Sequence, residues 1–202
     1  MIDPMFYSYI AVMSVTPGPN NLMLASSGMS FGLKRTLPHA IGVSFGMWIQ
    51  LTLVALTLAF IVSWLAVIRL PLAVAGCIYL LWLSWKFLNA GSPKNHQHVQ
   101  PMGLIGAAMF QWLNPKAWMM SVNSAILFIP ANSNIQLAAV LLGFVGCVIN
   151  FPCILIWAIT GDRLRRWLTN DRVRFAFNAS MATLMSLTAI WLLIDEWLIF
   201  MA

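Results

Sequence analysis

The chain has 202 residues, 61% of them hydrophobic and only 8% charged, with a mean hydropathy of +0.84 and a formal net charge of +6. Charged residues run near a quarter of an ordinary soluble domain, so a soluble globular fold is excluded and an integral membrane protein is expected. The length allows about six spans of roughly 20 residues with short connections, which makes residues 1–202 a single transmembrane domain; the basic excess has no soluble module to carry it and reads as loop charge, not as a nucleic-acid surface.

Apolar runs place spans at about 4–31, 38–64, 70–89, 103–130, 135–161 and 176–199. The first carries Thr16-Pro17-Gly18-Pro19-Asn20-Asn21; Asp3 is its only early charge and no Lys or Arg precedes Lys34, so it is an uncleaved span and not a signal peptide. In the second, Gly42-xxx-Gly46 with Ser44 permits close helix approach, either inside the molecule or across a homodimer interface. His39, beside Pro38, is expected at the cytoplasmic headgroup level. After the third span, residues 91–101 form the only extended polar stretch, a cytoplasmic linker between repeat 1 (about 1–90) and repeat 2 (about 102–202). Its His96 and His98 have too few neighbouring ligands for a metal site. The fourth span contains Asn114-Pro115-Lys116, about 96 residues after the first break. At the cytoplasmic end of the fifth, Asp162 beside Arg163 suits local pairing, with gating as the functional alternative. Trp64, Trp82, Trp85, Trp167 and Trp197 fall near span ends as an interfacial belt, whereas Trp48 and Trp191 are expected to pack deeper. Cys77, Cys147 and Cys153 form no CxxC and read as small core residues.

Charge asymmetry orients these spans. Lys34, Arg35, Lys86, Lys94, Arg163, Arg165, Arg166, Arg172 and Arg174 all fall on one face, against Arg69 alone on the other. The first face is therefore cytoplasmic and both termini lie outside the cytoplasm. Three spans per half reverse direction, so the predicted fold is an all-α integral membrane protein of six transmembrane helices, arranged as two inverted three-helix repeats with proline-broken helices 1 and 4.

Depth gives the breaks their meaning. Each lies about 17 Å along a roughly 30 Å hydrocarbon core, near the midplane. Asn114 before Pro115 reads as an N-cap followed by proline at the first helical position, and Thr16-Pro17 or Gly18-Pro19-Asn20 offers the same start. Two half-helix N-termini would then face one interior from opposite sides, where bare amides and positive dipole ends suit an anion such as an amino-acid carboxylate. Lys116 is the one charge that no loop can take. An intramembrane lysine needs a partner, and no span interior holds Asp or Glu, so it either clamps spans 1 and 4 through freed carbonyls and Asn20 or Asn21, or meets a bound carboxylate.

The motifs together resemble the LysE/RhtB-type amino-acid exporters. The resemblance rests on Thr16-Pro17-Gly18-Pro19-Asn20-Asn21-Leu22, Gly32-Leu33-Lys34-Arg35, Gly42-Val43-Ser44-Phe45-Gly46, Ala75-Gly76-Cys77-Ile78-Tyr79-Leu80-Leu81-Trp82-Leu83-Ser84-Trp85-Lys86 and Phe110-Gln111-Trp112-Leu113-Asn114-Pro115-Lys116-Ala117-Trp118, with spacing kept over most of the chain. It implies a six-helix secondary transporter that exports small amino acids or derivatives. The chain departs from the family at Asn178-Ala179-Ser180-Met181-Ala182, where a glycine-containing motif is usual.

The function expected is thus amino-acid export across a bacterial-type cytoplasmic membrane, with Thr16, Pro17, Gly18, Pro19, Asn20, Asn21, Asn114, Pro115 and Lys116 forming the substrate site. Neutral substrates are favoured, because a cationic one would want an interior carboxylate. Partners are the amino acid, the lipid bilayer and a coupling proton; no cofactor is expected, and the lack of a phosphate-binding loop excludes ATP as a driver within this chain. The other readings are a small-solute or ion channel, which would share the broken helices, and a membrane-embedded enzyme, for which HExxH, paired acids and CxxC are all missing.

Overall fold

The computed structural model describes residues 2–58, 101–129, 134–167 and 171–201, with residues 71, 74–78, 80–82, 84, 85 and 88 between them. The described residues are mostly helical where a span is expected, with non-helical breaks at residues 16–18 and at Asn114, and no strand occurs among them. The helices are α1 Pro4–Val15, α2 Pro19–Phe31, α3 Leu33–Leu56, α4 Leu104–Phe110, α5 Pro115–Phe128, α6 Ile135–Trp167 and α7 Asp171–Met201, with a 3-10 turn at Gln111–Leu113 joining α4 to α5. Both proline-bearing spans are therefore split, the first into α1 and α2 and the fourth into α4 and α5. The predicted end of the second span and the turn after it, residues 59–70, and the linker with His96 and His98 lie outside the described residues.

Local chemistry sets the ends. Asp3 Oδ1 accepts from the Met5 amide at 2.8 Å ahead of Pro4, an N-cap followed by proline at the first helical position. Asn134 Oδ1 caps α6 by accepting from the Gln136 and Leu137 amides. Between α2 and α3 a single residue suffices, because Gly32 takes φ 83°, a conformation without penalty only for glycine. That sharp junction starts α3 earlier than the apolar run suggests. Pro38 is consequently inside the helix, and His39 is buried, at 1% exposure, on the face that α3 turns inward. Trp191 departs from expectation: it is 64% exposed on the outer face of α7, where lipid is its natural neighbour.

Helix α3, and α6 over Ile135–Leu164, are long and apolar enough to cross a membrane unaided, whereas Pro4–Val15 and Leu104–Leu113 are short because the prolines end them. The core forms where α6 packs along α2 and α3. Glycines allow that approach: a methyl on Gly28 would collide with the Ala158 carbonyl, and one on Gly161 with the Ala25 carbonyl. On α3, Gly42 lies against the Leu104 carbonyl and Gly46 against Ala108, so this pair is used for packing on α4 within the molecule. Buried Phe6, Ile10, Met47, Leu51, Met120 and Leu142 fill the space between α1, α3, α5 and α6.

Candidate functional site

In an unbroken helix the carbonyls of Met13, Ser14, Val15 and Thr16 would accept from the amides of residues 17 to 20. Pro17 and Pro19 have no N–H, so Met13 and Val15 lose their donors outright and the helix ends. Every freed carbonyl finds a side-chain donor instead. Met13 O accepts from Thr16 Oγ1 at 3.0 Å, Ser14 O from Asn21 Nδ2 at 2.8 Å and Val15 O from Trp157 Nε1 at 3.0 Å. Thr16 O accepts from both Asn21 Nδ2 at 2.7 Å and Lys116 Nζ at 2.8 Å. The expected helix start is thereby resolved: Thr16 caps the end of α1, and α2 begins at Pro19 with Gly18 as its N-cap. Gly18 makes no side-chain cap bond, and the first intrahelical acceptance runs from Leu22 N–H to Gly18 O, so the Asn20 and Asn21 amides have no acceptor in their own helix.

The second break is built the same way. Pro115 cannot donate to Gln111 O, which accepts from the Asn114 amide at 3.2 Å to close the 3-10 turn. Trp112 O accepts from Trp118 Nε1 at 2.8 Å. Asn114 Oδ1 then caps α5 by accepting from the Lys116 amide at 3.1 Å, as its sequence position predicts.

Lys116 joins the two breaks. Its ammonium donates to Thr16 O at 2.8 Å, Thr16 Oγ1 at 2.7 Å and Pro17 O at 3.3 Å, three acceptors for three N–H bonds. The cation thus occupies the negative end of α1, and the carbonyls left by proline offset the cost of an intramembrane charge, ~2.5–3.5 kcal/mol on insertion scales. Gly18 makes room for it: a Cβ there would lie 3.0 Å from Lys116 Cδ. The extended backbone of Gly18, φ −176°, would suit any residue, so the requirement is space.

Beside the clamp is a cavity of about 30 Å³, with Gly18, Asn20, Asn21, Asn114 and Lys116 in its wall. Thr16, Pro17, Pro19 and Pro115 adjoin these residues in the chain but do not line the cavity. Asp162 does not join them; it is half-buried near the far end of α6, next to Gly161 where that helix meets α2. Sequence reasoning missed Ser14, Ser44, Gln111 and Asn150. Asn150 Nδ2 donates to Ser14 Oγ at 2.9 Å and its Oδ1 accepts from Ser44 Oγ at 3.1 Å, tying α1, α3 and α6 through one amide. Asn20 Nδ2 donates to Gln111 Oε1 at 2.6 Å across the breaks. A lone amide in an apolar run, such as Asn150 two residues before Pro152, was the available clue.

The cavity holds about two waters, well short of an amino acid. Between the start of α1 and the end of α5, Phe128 lies edge-on against Phe6 at 5.4 Å and tilted against Tyr9 at 5.7 Å. Between α2 and α6 the approach is backbone on backbone, at the Gly28–Ala158 and Ala25–Gly161 contacts.

Comparison with known proteins places the chain in a family. The family model described as "LysE type translocator" matches residues 11–196. The chain is 28% identical over 165 residues to a "Cysteine/O-acetylserine efflux protein" of Klebsiella pneumoniae, covering 80% of this chain and 82% of that one. It is also 28% identical over 166 residues to proteins of that name from Escherichia coli K12 and Shigella flexneri, covering 80% of this chain and 83% of theirs. No solved structure matches the chain.

Proposed function

We propose that this chain, which belongs to the LysE-type translocator family and is a membrane transporter rather than an enzyme, exports small neutral amino acids or their derivatives from the bacterial cytoplasm. The observation that carries the substrate assignment is the lining of the cavity. Its one cation, Lys116, adjoins an uncapped helix N-terminus, its other polar groups are uncharged amides and a hydroxyl, and no carboxylate is present. A carboxylate entering it would meet the amides of Asn20 and Asn21 and could draw the Lys116 ammonium from the carbonyls it holds. A cationic side chain would find no counter-charge. The names of the relatives, which refer to cysteine and O-acetylserine, support small, net-neutral substrates.

The remainder of the reading is alternating access by secondary transport, coupled to a proton, in a six-span inner-membrane protein of two inverted repeats with both termini outside the cytoplasm. Asp162, beside the seam of α2 and α6 on the predicted cytoplasmic side, is the gating candidate. Everted vesicles test the function directly: labelled L-serine, L-cysteine, O-acetyl-L-serine and L-lysine are offered with and without an imposed pH gradient. Saturable, gradient-dependent uptake of the neutral compounds with exclusion of lysine is expected. Uptake that never saturates and shows no counterflow would instead make the protein a channel.

A further inference from the structure

Asn20 is 8% exposed, and its amide is used on one side only. Nδ2 donates to Gln111 Oε1, whereas Oδ1 is enclosed and has no hydrogen-bond partner. Three other amide oxygens in the cavity wall are engaged: Gln111 Oε1 by Asn20, Asn150 Oδ1 by Ser44, and Asn114 Oδ1 by the Lys116 amide. Lys116 itself is fully committed to Thr16 and Pro17. A buried acceptor with no donor from the protein is costly, and the adjoining cavity is where a water or a guest can supply one.

We infer that Asn20 Oδ1 receives the α-ammonium of the substrate, so that the site selects 2-amino acids with a free amino group over their 2-hydroxy or N-acylated counterparts. The inference rests on the exporter reading above. It follows from where the two halves of Asn20 lie: its backbone amide belongs to the uncapped start of α2, which attracts a carboxylate, and its side chain, with Oδ1 buried and unpartnered within the protein, lines the same cavity. An α-amino acid presents carboxylate and ammonium on adjacent carbons, and one residue at the second position of a helix can meet both. Gln111 is the positioning residue. By accepting from Nδ2 it leaves Oδ1 as the unpaired end of the Asn20 amide.

The test uses the full-length protein in proteoliposomes. Uptake of L-serine is compared with that of L-glycerate, and uptake of O-acetyl-L-serine with that of its isomer N-acetyl-L-serine. The wild type is expected to prefer the free amine about tenfold or more in both pairs, as for loss of a hydrogen bond to a charged group. Asn20→Leu, similar in size without the acceptor, should bring both ratios to within about twofold, and Asn20→Asp should keep or raise them because Gln111 can rotate its amide to donate. Wild-type ratios in Asn20→Leu at equal protein level overturn the inference, as does loss of preference in Asn20→Asp. If Asn20→Leu fails to accumulate, the Asn20→Asp ratios decide alone. Failure of the wild type to move either amine would overturn the exporter reading and this inference together, whereas transport without amine preference overturns only this one.

Discussion

Lys116 Nζ lies 2.8 Å from the Thr16 carbonyl oxygen and 2.7 Å from Thr16 Oγ1, so a single residue of the first break supplies two of the three acceptors that hold the only charge of the second. On the proposed reading, clamp and counter-ion would be two positions of one ammonium. In this structure it satisfies the end of α1, and a carboxylate at the start of α2 would compete for it. Substrate binding would loosen the bond between the two broken helices, which gives a physical route from occupancy to movement.

Lys116→Gln should therefore abolish export while membrane insertion stays normal, since removing an intramembrane charge carries no insertion penalty. Lys116→Arg should restore only part, because a planar guanidinium keeps the charge but not the compact ammonium. Thr16→Val removes one competing acceptor and should lower the apparent KM for the substrate a few-fold. Transport per molecule, normalised to protein in the membrane, is the measurement. Wild-type export by Lys116→Gln would move the binding site away from α5.

Replacing both Pro17 and Pro19 with Ala restores the two missing donors, so the Met13 and Val15 carbonyls regain intrahelical partners and α1 can run on into α2. The expected product is well inserted and inactive, with Trp157 released from Val15. Normal export at a normal protein level would reduce the prolines to bending the span.

Orientation can be tested without transport. An active periplasmic reporter fused after Ala202, together with cysteine probes at His96 and Asn170 that label only from the cytoplasm, is the expected pattern. A cytoplasmic C-terminus would remove the inverted-repeat arrangement and with it the opposed half-helices.

The two breaks were legible in the sequence because proline acts locally. A missing N–H ends a helix wherever it falls, and Asn before Pro caps the next one, so Asn114-Pro115 and Gly18-Pro19 needed no tertiary information. Lys116 was legible by its cost. What the sequence could not disclose is which distant polar atoms meet: Ser44, Asn150 and Ser14 lie in three different helices and share one hydrogen-bonded chain only after packing. The start of the second span was misplaced for a related reason, because the backbone turn at Gly32 sets where α3 begins, and hydropathy reports composition instead of junction geometry.

The glycines of the α2–α6 seam give the final prediction, since the structure separates positions that look alike in sequence. At Gly28 and Gly161 an added methyl meets backbone carbonyls of the facing helix, which cannot move without shifting the helix itself. Gly28→Ala and Gly161→Ala should each destabilise the closed form by about 1–3 kcal/mol, the usual scale of overpacking, and lower the melting temperature in detergent by several degrees. At Gly18 the same methyl meets the flexible Lys116 side chain at 3.0 Å, so Gly18→Ala should melt near the wild type yet export less, because the ammonium is pushed off its acceptors. Gly103 has nothing within 4 Å of its Cβ position, and Gly103→Ala is the control, expected to match the wild type in both assays. If Gly28→Ala and Gly161→Ala instead melt with the control, the seam is not a tight closure and the gate on that side lies elsewhere.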